Sequence, residues 1–332
     1  MNIKQRTRRR KALLILSPIA VIASILLGLT VGSVPISLGD VWHALTAPGY
    51  SPQDTIVHNL RLPRVLIGLL TGAALAASGA ILQGIMRNPL ADPGVIGVSS
   101  GAGLAAVVTM VLLPQFSYLL PAAAFVGACA ASLVIYLLAW DKGAAPIKIV
   151  LAGVALNAIL GAVMNGIMVM YSDRIQAVLP WLSGGLNGRS WSHLHFMLPY
   201  AVVGLALSLL AIKPANLLML GDNSAKLLGI KVEAQRLLLI VLSSLLAGTA
   251  VSVAGLIGFV GLVVPHAIRL LIGDDYRYLL PYSILGGAAL VTIADTIART
   301  VFDPIELPVG ILLACLGGPF FLYLLRKRSS WR

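Results

Sequence analysis

GAALAASGAILQGIMRNP at residues 72–89 and GTAVSVAGLIGFVGLVVP at residues 248–265 carry one frame of backbone-special residues. Gly72, Gly79 and Pro89 recur as Gly248, Gly255 and Pro265, each 176 residues later, and Ala74/Ala250 and Ile81/Ile257 keep the same offset. Within a bilayer, glycine lets helices approach closely, and proline is tolerated where neighbours re-satisfy the freed backbone. The frame predicts two copies of one unit, a plan that transporters use. The alternative is chance recurrence in a chain with 33 glycines.

Composition decides the environment of that frame. Of 332 residues, 58% are hydrophobic and 11% charged, and the mean hydropathy is +0.94. One soluble core cannot hide so much apolar surface, so the chain reads as an all-α integral membrane protein. A span needs about 20 apolar residues. The charged and Gly/Pro-marked breaks give about ten spans, at 12–32, 61–85, 94–113, 119–140, 148–170, 194–212, 236–253, 256–272, 279–298 and 308–325.

The net charge of +12 is placed for membrane orientation rather than for nucleic acid. Lys4, Arg6, Arg8, Arg9, Arg10 and Lys11 precede the first span, and Arg326, Lys327 and Arg328 follow the last. These clusters predict two cytoplasmic termini and an even number of spans. Arg87, Lys142, Lys148, Lys213, Lys226, Lys231, Arg236, Arg269 and Arg277 then fall inside, whereas Arg174 and Arg189 lie in an outer loop and Arg61, Arg64 and Arg299 at span ends. The apolar run of 12–32 is too long for a signal peptide, and Gly32-Ser33-Val34-Pro35 is a poor cleavage site, so a retained span is expected. On this orientation the second span runs inward and the seventh outward, which makes the repeat inverted. Cys129 and Cys315 fall inside spans and suggest neither a disulfide framework nor a metal site.

Three segments outside the spans are long enough to carry a partner. Residues 33–60 contain Ser37-Leu38-Gly39-Asp40-Val41-Trp42, a capped start for a short surface helix with Trp42 at the interface. Residues 171–192 hold Trp181, Gly184, Gly185, Gly188 and Trp191 and read as a short re-entrant or interfacial helix. The inside segment 213–236, KPANLLMLGDNSAKLLGIKVEAQR, has Asp222 or Asn223 as N-cap and Gly229 as helix stop. Its leucines 217, 218, 220, 227 and 228 fit two short helices pressed either on another protein or on this chain's own helix ends.

Several longer motifs stand in order: RLPR at 61–64, GAALAASGAILQGIMRNPLADPGVIGVSSGAG at 72–103, LAGVAL at 151–156, LGDNSAKLLGI at 220–230, GLIGFVGLVVPHAIRLL at 255–271, and ADTIAR with ELPVG within 294–310. Through these the chain resembles, from about residue 61 onward, the FecCD family: permease subunits of ATP-driven importers for iron–siderophore complexes, haem and cobalamin. The resemblance implies the type II ABC importer permease fold as one transmembrane domain, with repeat halves at about 61–170 and 236–325. It also implies a second permease subunit, identical or related, two cytoplasmic ATP-binding subunits and an extracytoplasmic binding protein. Residence in the cytoplasmic membrane of a prokaryote and transport of an iron–siderophore complex follow, with haem or cobalamin as the alternative cargo. No cofactor or metal is expected.

Residue roles follow from the same resemblance. Leu220, Gly221, Asp222, Ala225, Lys226, Leu228 and Gly229 would belong to the loop that couples to the ATPase. Arg61, Arg64 and Arg299 would be exposed docking cations for acidic residues of the binding protein, lipid snorkelling being the alternative. Asn88 and Leu90 would form a cytoplasmic gate. The family's other inner constriction falls where this chain has Ala145-Pro146 instead of small polar residues.

Two expectations come from spacing. Asp295 is the one carboxylate deep in a span, and its i, i+4 relation to Arg299 predicts a structural ion pair. Asn157, Gly161, Met164, Asn165 and Met168 share one face of the fifth span and would line a pathway or bond between helices. His193 and His195 point to different helix faces, which is poor zinc geometry.

No P-loop occurs in the sequence, so energy would come from a partner and the chain would be no enzyme. An ion-coupled secondary transporter, the rival from a different class, would need midplane carboxylates that this sequence lacks. An intramembrane enzyme would need a facing nucleophile and base, which are also missing.

Overall fold

A computed structural model describes residues 3–46, 49, 51–141, 143–301 and 305–329. Lys142 lies outside the described residues. The described chain is helical throughout: α1 (Ile3–Thr30), α2 (Leu38–Thr46), α3 (Pro52–Thr55), α4 (Leu62–Ile85), α5 (Val98–Val107), α6 (Leu120–Leu138), α7 (Pro146–Met170), α8 (Ile175–Leu182), α9 (Trp191–Leu210), α10 (Ile212–Met219), α11 (Asp222–Leu227), α12 (Val232–Ala254), α13 (Val260–Ile272), α14 (Tyr276–Ala298) and α15 (Val309–Ser329). Seven helical stretches are long and apolar enough to cross a bilayer, and three shorter apolar ones, Val98–Leu112, Val260–Ile272 and Val309–Leu322, lie where the other three expected spans fall. The first of the seven, within α1, packs on α14.

Small residues explain why α4 and α12 form the centre. Lipid tails are as apolar as leucine, so helices associate in a membrane through close packing and polar contacts rather than through hydrophobic transfer. Along α4, Gly72 lies so close to α14 that a Cβ would come within 2.0 Å of the Gly287 carbonyl, and at Gly79 a Cβ would come within 1.9 Å of the Gly261 carbonyl of α13. Between α4 and α12, the Ser78 and Ser243 hydroxyls bond at 2.6 Å.

Contacts between elements display the repeat. The helix α4 packs on α14 and α13, and α12 packs on α6 and α5. Exchanging α4 with α12, α5 with α13 and α6 with α14 maps one set onto the other. Both short helices start from a left-handed residue, Gly97 (φ 83°) before α5 and Phe259 (φ 66°) before α13. Arg87, just after α4, and Arg236, at the start of α12, both pair with Asp222. The two central helices therefore run in opposite directions, and the repeat is inverted.

The 176-residue frame itself does not superpose the halves. The ends of α4 and α12, Ile85 and Ala254, are 169 residues apart. Gly79 is accordingly mid-helix, whereas Gly255 terminates α12 with a positive φ of 72°. Pro89 lies in a turn and Pro265 inside α13.

Contacts also define two faces. The N-face gathers the start of α1, the end of α4, α10, α11 and the starts of α12 and α14. There Arg10 donates to the Ile272 carbonyl and stacks on Tyr278. At the far face the end of α1, the start of α4 and the end of α14 converge.

Candidate functional site

On the N-face, α10 and α11 form a bracket whose leucines divide between two surfaces. Leu218 and Ala225 are buried against the chain itself, whereas Leu220, Leu227 and Leu228 are exposed, Leu227 to 89%. Lys226 is exposed on the same helix. A Schellman motif ends α11, with Gly229 (φ 78°) donating to the Lys226 carbonyl and Ile230 to that of Ala225. The expected N-cap is corrected: Gly221 (φ 96°) caps α11, because the Asp222 carboxylate is turned away to Arg236.

That arginine was not singled out from sequence, where it reads as one more inside charge at the head of a span. Its side chain is 1% exposed, and it donates to Asp222 at 2.8 Å and to Glu233 at 2.9 Å. Glu233 in turn accepts the Ala144 amide at 3.0 Å. Arg87 reaches Asp222 at 3.6 Å and lines, with residues 220–224, a cavity of about 390 Å3. A buried guanidinium holding carboxylates on two elements fixes the bracket to the spans. Arg87 is itself in a left-handed conformation (φ 49°), unusual for a non-glycine residue. It leads directly into Asn88, whose side chain accepts the Leu90 amide at 3.0 Å. Asn88 is exposed and Leu90 half-buried.

The far-face arginines differ from expectation. Arg61, Arg64 and Arg299 are 5%, 8% and 7% exposed, so they are not exposed cations. Arg61 ends a wide helical turn, Ile56–Arg61, and its guanidinium is spent on the carbonyls of Leu29 and Thr30, at 2.7 and 2.9 Å, and on that of Val34. Arg64 forms a fork on Asp295 at 2.8 and 2.9 Å and donates to Glu306 at 2.8 Å. The expected Asp295–Arg299 ion pair is therefore corrected. Asp295 pairs across to α4, while Arg299 bends back to the Gly28 carbonyl of α1. Helical i, i+4 spacing permits a pair, but a second helix offering planar guanidinium geometry takes the carboxylate.

Arg61, Arg64, Arg299 and Glu306, together with Arg189 and other groups, line a far-face cavity of about 330 Å3. Burial pushes the Arg189 guanidinium below the usual arginine range. Arg189 and Glu306 are further members that sequence reading left without a role. Nearby, Trp181 is buried at 5% exposure rather than interfacial, and His193 closes a capping box with Ser190 at the start of α9.

Along α7 the expected face splits. Asn157 donates to the Gly94 carbonyl at 3.0 Å and accepts from Ser100, so its amide is used between helices within this chain. Met164 and Met168 pack beside Val107, Val111 and Val178. Asn165 is exposed, and a Cβ on Gly161 would meet nothing within 4 Å. Little of α7 is fully buried within the chain.

A helical membrane chain with an inverted repeat, discontinuous apolar helices and a pinned bracket on one face has the plan of a multi-pass transport permease. Residues 20–327 match the FecCD transport family, and the chain belongs to it. It is similar to the Fe(3+)-citrate import system permease protein YfmD of Bacillus subtilis (strain 168), 40% identical over 98% of this chain and 97% of that protein. It is also similar to the hemin transport system permease protein HmuU of Yersinia pestis, 42% identical over 91% of each. A third relative is the cobalamin import system permease protein BtuC of Halobacterium salinarum, 41% identical over 97% of this chain and 90% of that protein. Among solved structures, one described as an inward-facing conformation of a metal-chelate type ABC transporter matches with a TM-score of 0.85. It is 30% identical, with 96% of this chain and 99% of that one covered.

Proposed function

We propose that the chain is the membrane subunit of a binding-protein-dependent importer that moves an iron–siderophore or related ferric chelate across the cytoplasmic membrane of a prokaryote. The N-face is then cytoplasmic. The observation that carries the reading is the bracket: Leu220, Leu227 and Leu228 are turned outward on a helix whose inner side is fixed to the spans by Arg236. A stiff lever of this kind passes a rigid-body movement of an ATPase to the helices without chemistry in the bilayer. Asp222 also reaches Arg87, so movement of α11 bears on the turn holding Asn88 and Leu90, the proposed gate.

In this reading α7 faces a second permease copy or related chain across the pathway, with Gly161 and Asn165 toward it. The far-face cavity receives the binding protein that releases cargo. The relatives named for hemin transport and cobalamin import support haem or cobalamin as the second reading for cargo.

The test is assembly. The chain is co-expressed with its ATP-binding subunit and purified through a tag on the latter. The parent is expected to co-purify and Leu227→Asp to be lost from the complex while still inserted in the membrane. Co-purification of Leu227→Asp at parental yield would remove the bracket from the ATPase interface.

A further inference from the structure

The first turns of α1 bring a dense positive charge to the N-face. Arg6, Arg8, Arg9, Arg10 and Lys11 fall within two turns, and residues 1–39 contain no Asp or Glu. The acids of the neighbouring α13–α14 turn are already used, Asp274 by Arg269 at 2.8 Å and Asp275 by Arg277 at 3.0 Å. Arg8 and Lys11 are exposed and enter no ion pair among the described residues.

These turns are held in place by the body of the protein. Arg10 donates to the Ile272 carbonyl at 3.2 Å and lies 4.1 Å over the ring of Tyr278, while the Tyr282 hydroxyl donates to the Arg10 carbonyl at 2.9 Å. At Gly273 (φ 90°) a Cβ would come within 2.8 Å of Arg6 Cζ, so the α13–α14 turn passes directly against that guanidinium. Arg6 and Arg10, one helical turn apart, therefore face the protein, which leaves Arg8 and Lys11 on the other side of α1.

Helical spacing continues that outer side as Ile15, Ile19, Ile22 and Leu26, all exposed and all within a stretch apolar enough to span a bilayer. Two cations thus stand at the head of an aliphatic strip. A phospholipid with a net negative headgroup matches both parts, its phosphate on the cations and its chains on the strip. A soluble phosphate or a nucleic acid would leave the strip uncovered, and a zwitterionic lipid would bring its own cation toward Arg8 and Lys11.

We propose that Arg8 and Lys11 bind the headgroup of an anionic phospholipid whose acyl chains run along Ile15, Ile19 and Ile22. Arg10 and Tyr278 are the positioning pair that fixes α1 for it. The proposal goes beyond the importer reading and needs only that α1 crosses the bilayer.

The full chain, delipidated in detergent, is titrated with dioleoylphosphatidylglycerol or dioleoylphosphatidylcholine, and bound lipid is counted by native mass spectrometry. Melting temperature checks the fold of each variant. The parent is expected to bind the phosphatidylglycerol about tenfold more tightly, and Arg8→Gln/Lys11→Gln to lose that preference. Lys226→Gln/Lys231→Gln removes the same charge from exposed sites elsewhere on the N-face and is expected to keep it. Glycerol phosphate, the anion without the chains, is expected not to displace the lipid at equal concentration. An undiminished preference in Arg8→Gln/Lys11→Gln would overturn the proposal. So would an equal loss in both double variants, which would trace the preference to overall charge, or displacement by glycerol phosphate, which would reduce the site to one for any small anion.

Discussion

Arg64 and Asp295, 231 residues apart in the chain, meet through two near-parallel hydrogen bonds of 2.8 and 2.9 Å. The pair ties the start of α4 to the end of α14 where both are buried. Breaking one partner of a buried ion pair leaves an uncompensated charge, a loss of about 3–5 kcal/mol.

Asp295→Ala is therefore expected to lower the melting temperature in detergent sharply, and Arg64→Ala to do the same. Arg299→Ala, which removes no ion pair among the described residues, should lower it less. Equal melting temperatures for Asp295→Ala and the parent would mean that the pair does not hold α4 to α14.

The Asp222–Arg236 contact makes a second prediction, about coupling. Asp222→Asn removes the charge that holds α11 to α12 and that Arg87 approaches, while the exposed leucines stay in place. The complex with the ATP-binding subunits should still form, and transport per ATP hydrolysed should fall about tenfold as hydrolysis continues without a matching movement of the spans. Simultaneous measurement of uptake and phosphate release checks this. A parental ratio would show that the bracket transmits movement by another route.

Gly79 allows a steric test. A Cβ there would lie 1.9 Å from the Gly261 carbonyl, an overlap that only helix displacement relieves, and overpacking typically costs about 1–3 kcal/mol. Gly79→Leu should reduce the yield of folded protein several-fold in size-exclusion chromatography. Gly161→Ala, with open space around it, should leave yield and melting temperature unchanged.

The two asparagines of α7 should separate by phenotype. Asn157 is bonded to Gly94 and Ser100, so Asn157→Ala should lower the melting temperature by a loss of about 0.6–1.7 kcal/mol. Asn165 is exposed, so Asn165→Ala should keep its stability and change the uptake rate. The reverse assignment would move the pathway off this face of α7.

The apolar helices, the all-helical class and the inverted repeat are legible in the chain because hydropathy and loop charge are one-dimensional signals. The residue frame that suggested duplication is less informative. Glycine at 72 and 79 marks close helix approach, but at 255 it marks a helix end, and sequence spacing does not distinguish these uses. The bracket is legible through its leucines and Gly229. Its anchor is not, because Arg236 looks like an ordinary span-end charge until Asp222 and Glu233 are seen against it. The same limit explains the misassigned partner of Asp295. Spacing within one helix puts Arg299 nearby, whereas the better partner arrives from α4 through tertiary packing.

The most direct test of the central claim uses proteoliposomes holding the chain with its ATP-binding subunits, the loaded binding protein outside and ATP within. Uptake of the radiolabelled ferric chelate should require ATP and persist after ionophores collapse the ion gradients. Uptake by the chain alone, driven by an ion gradient and indifferent to ATP, would contradict the account.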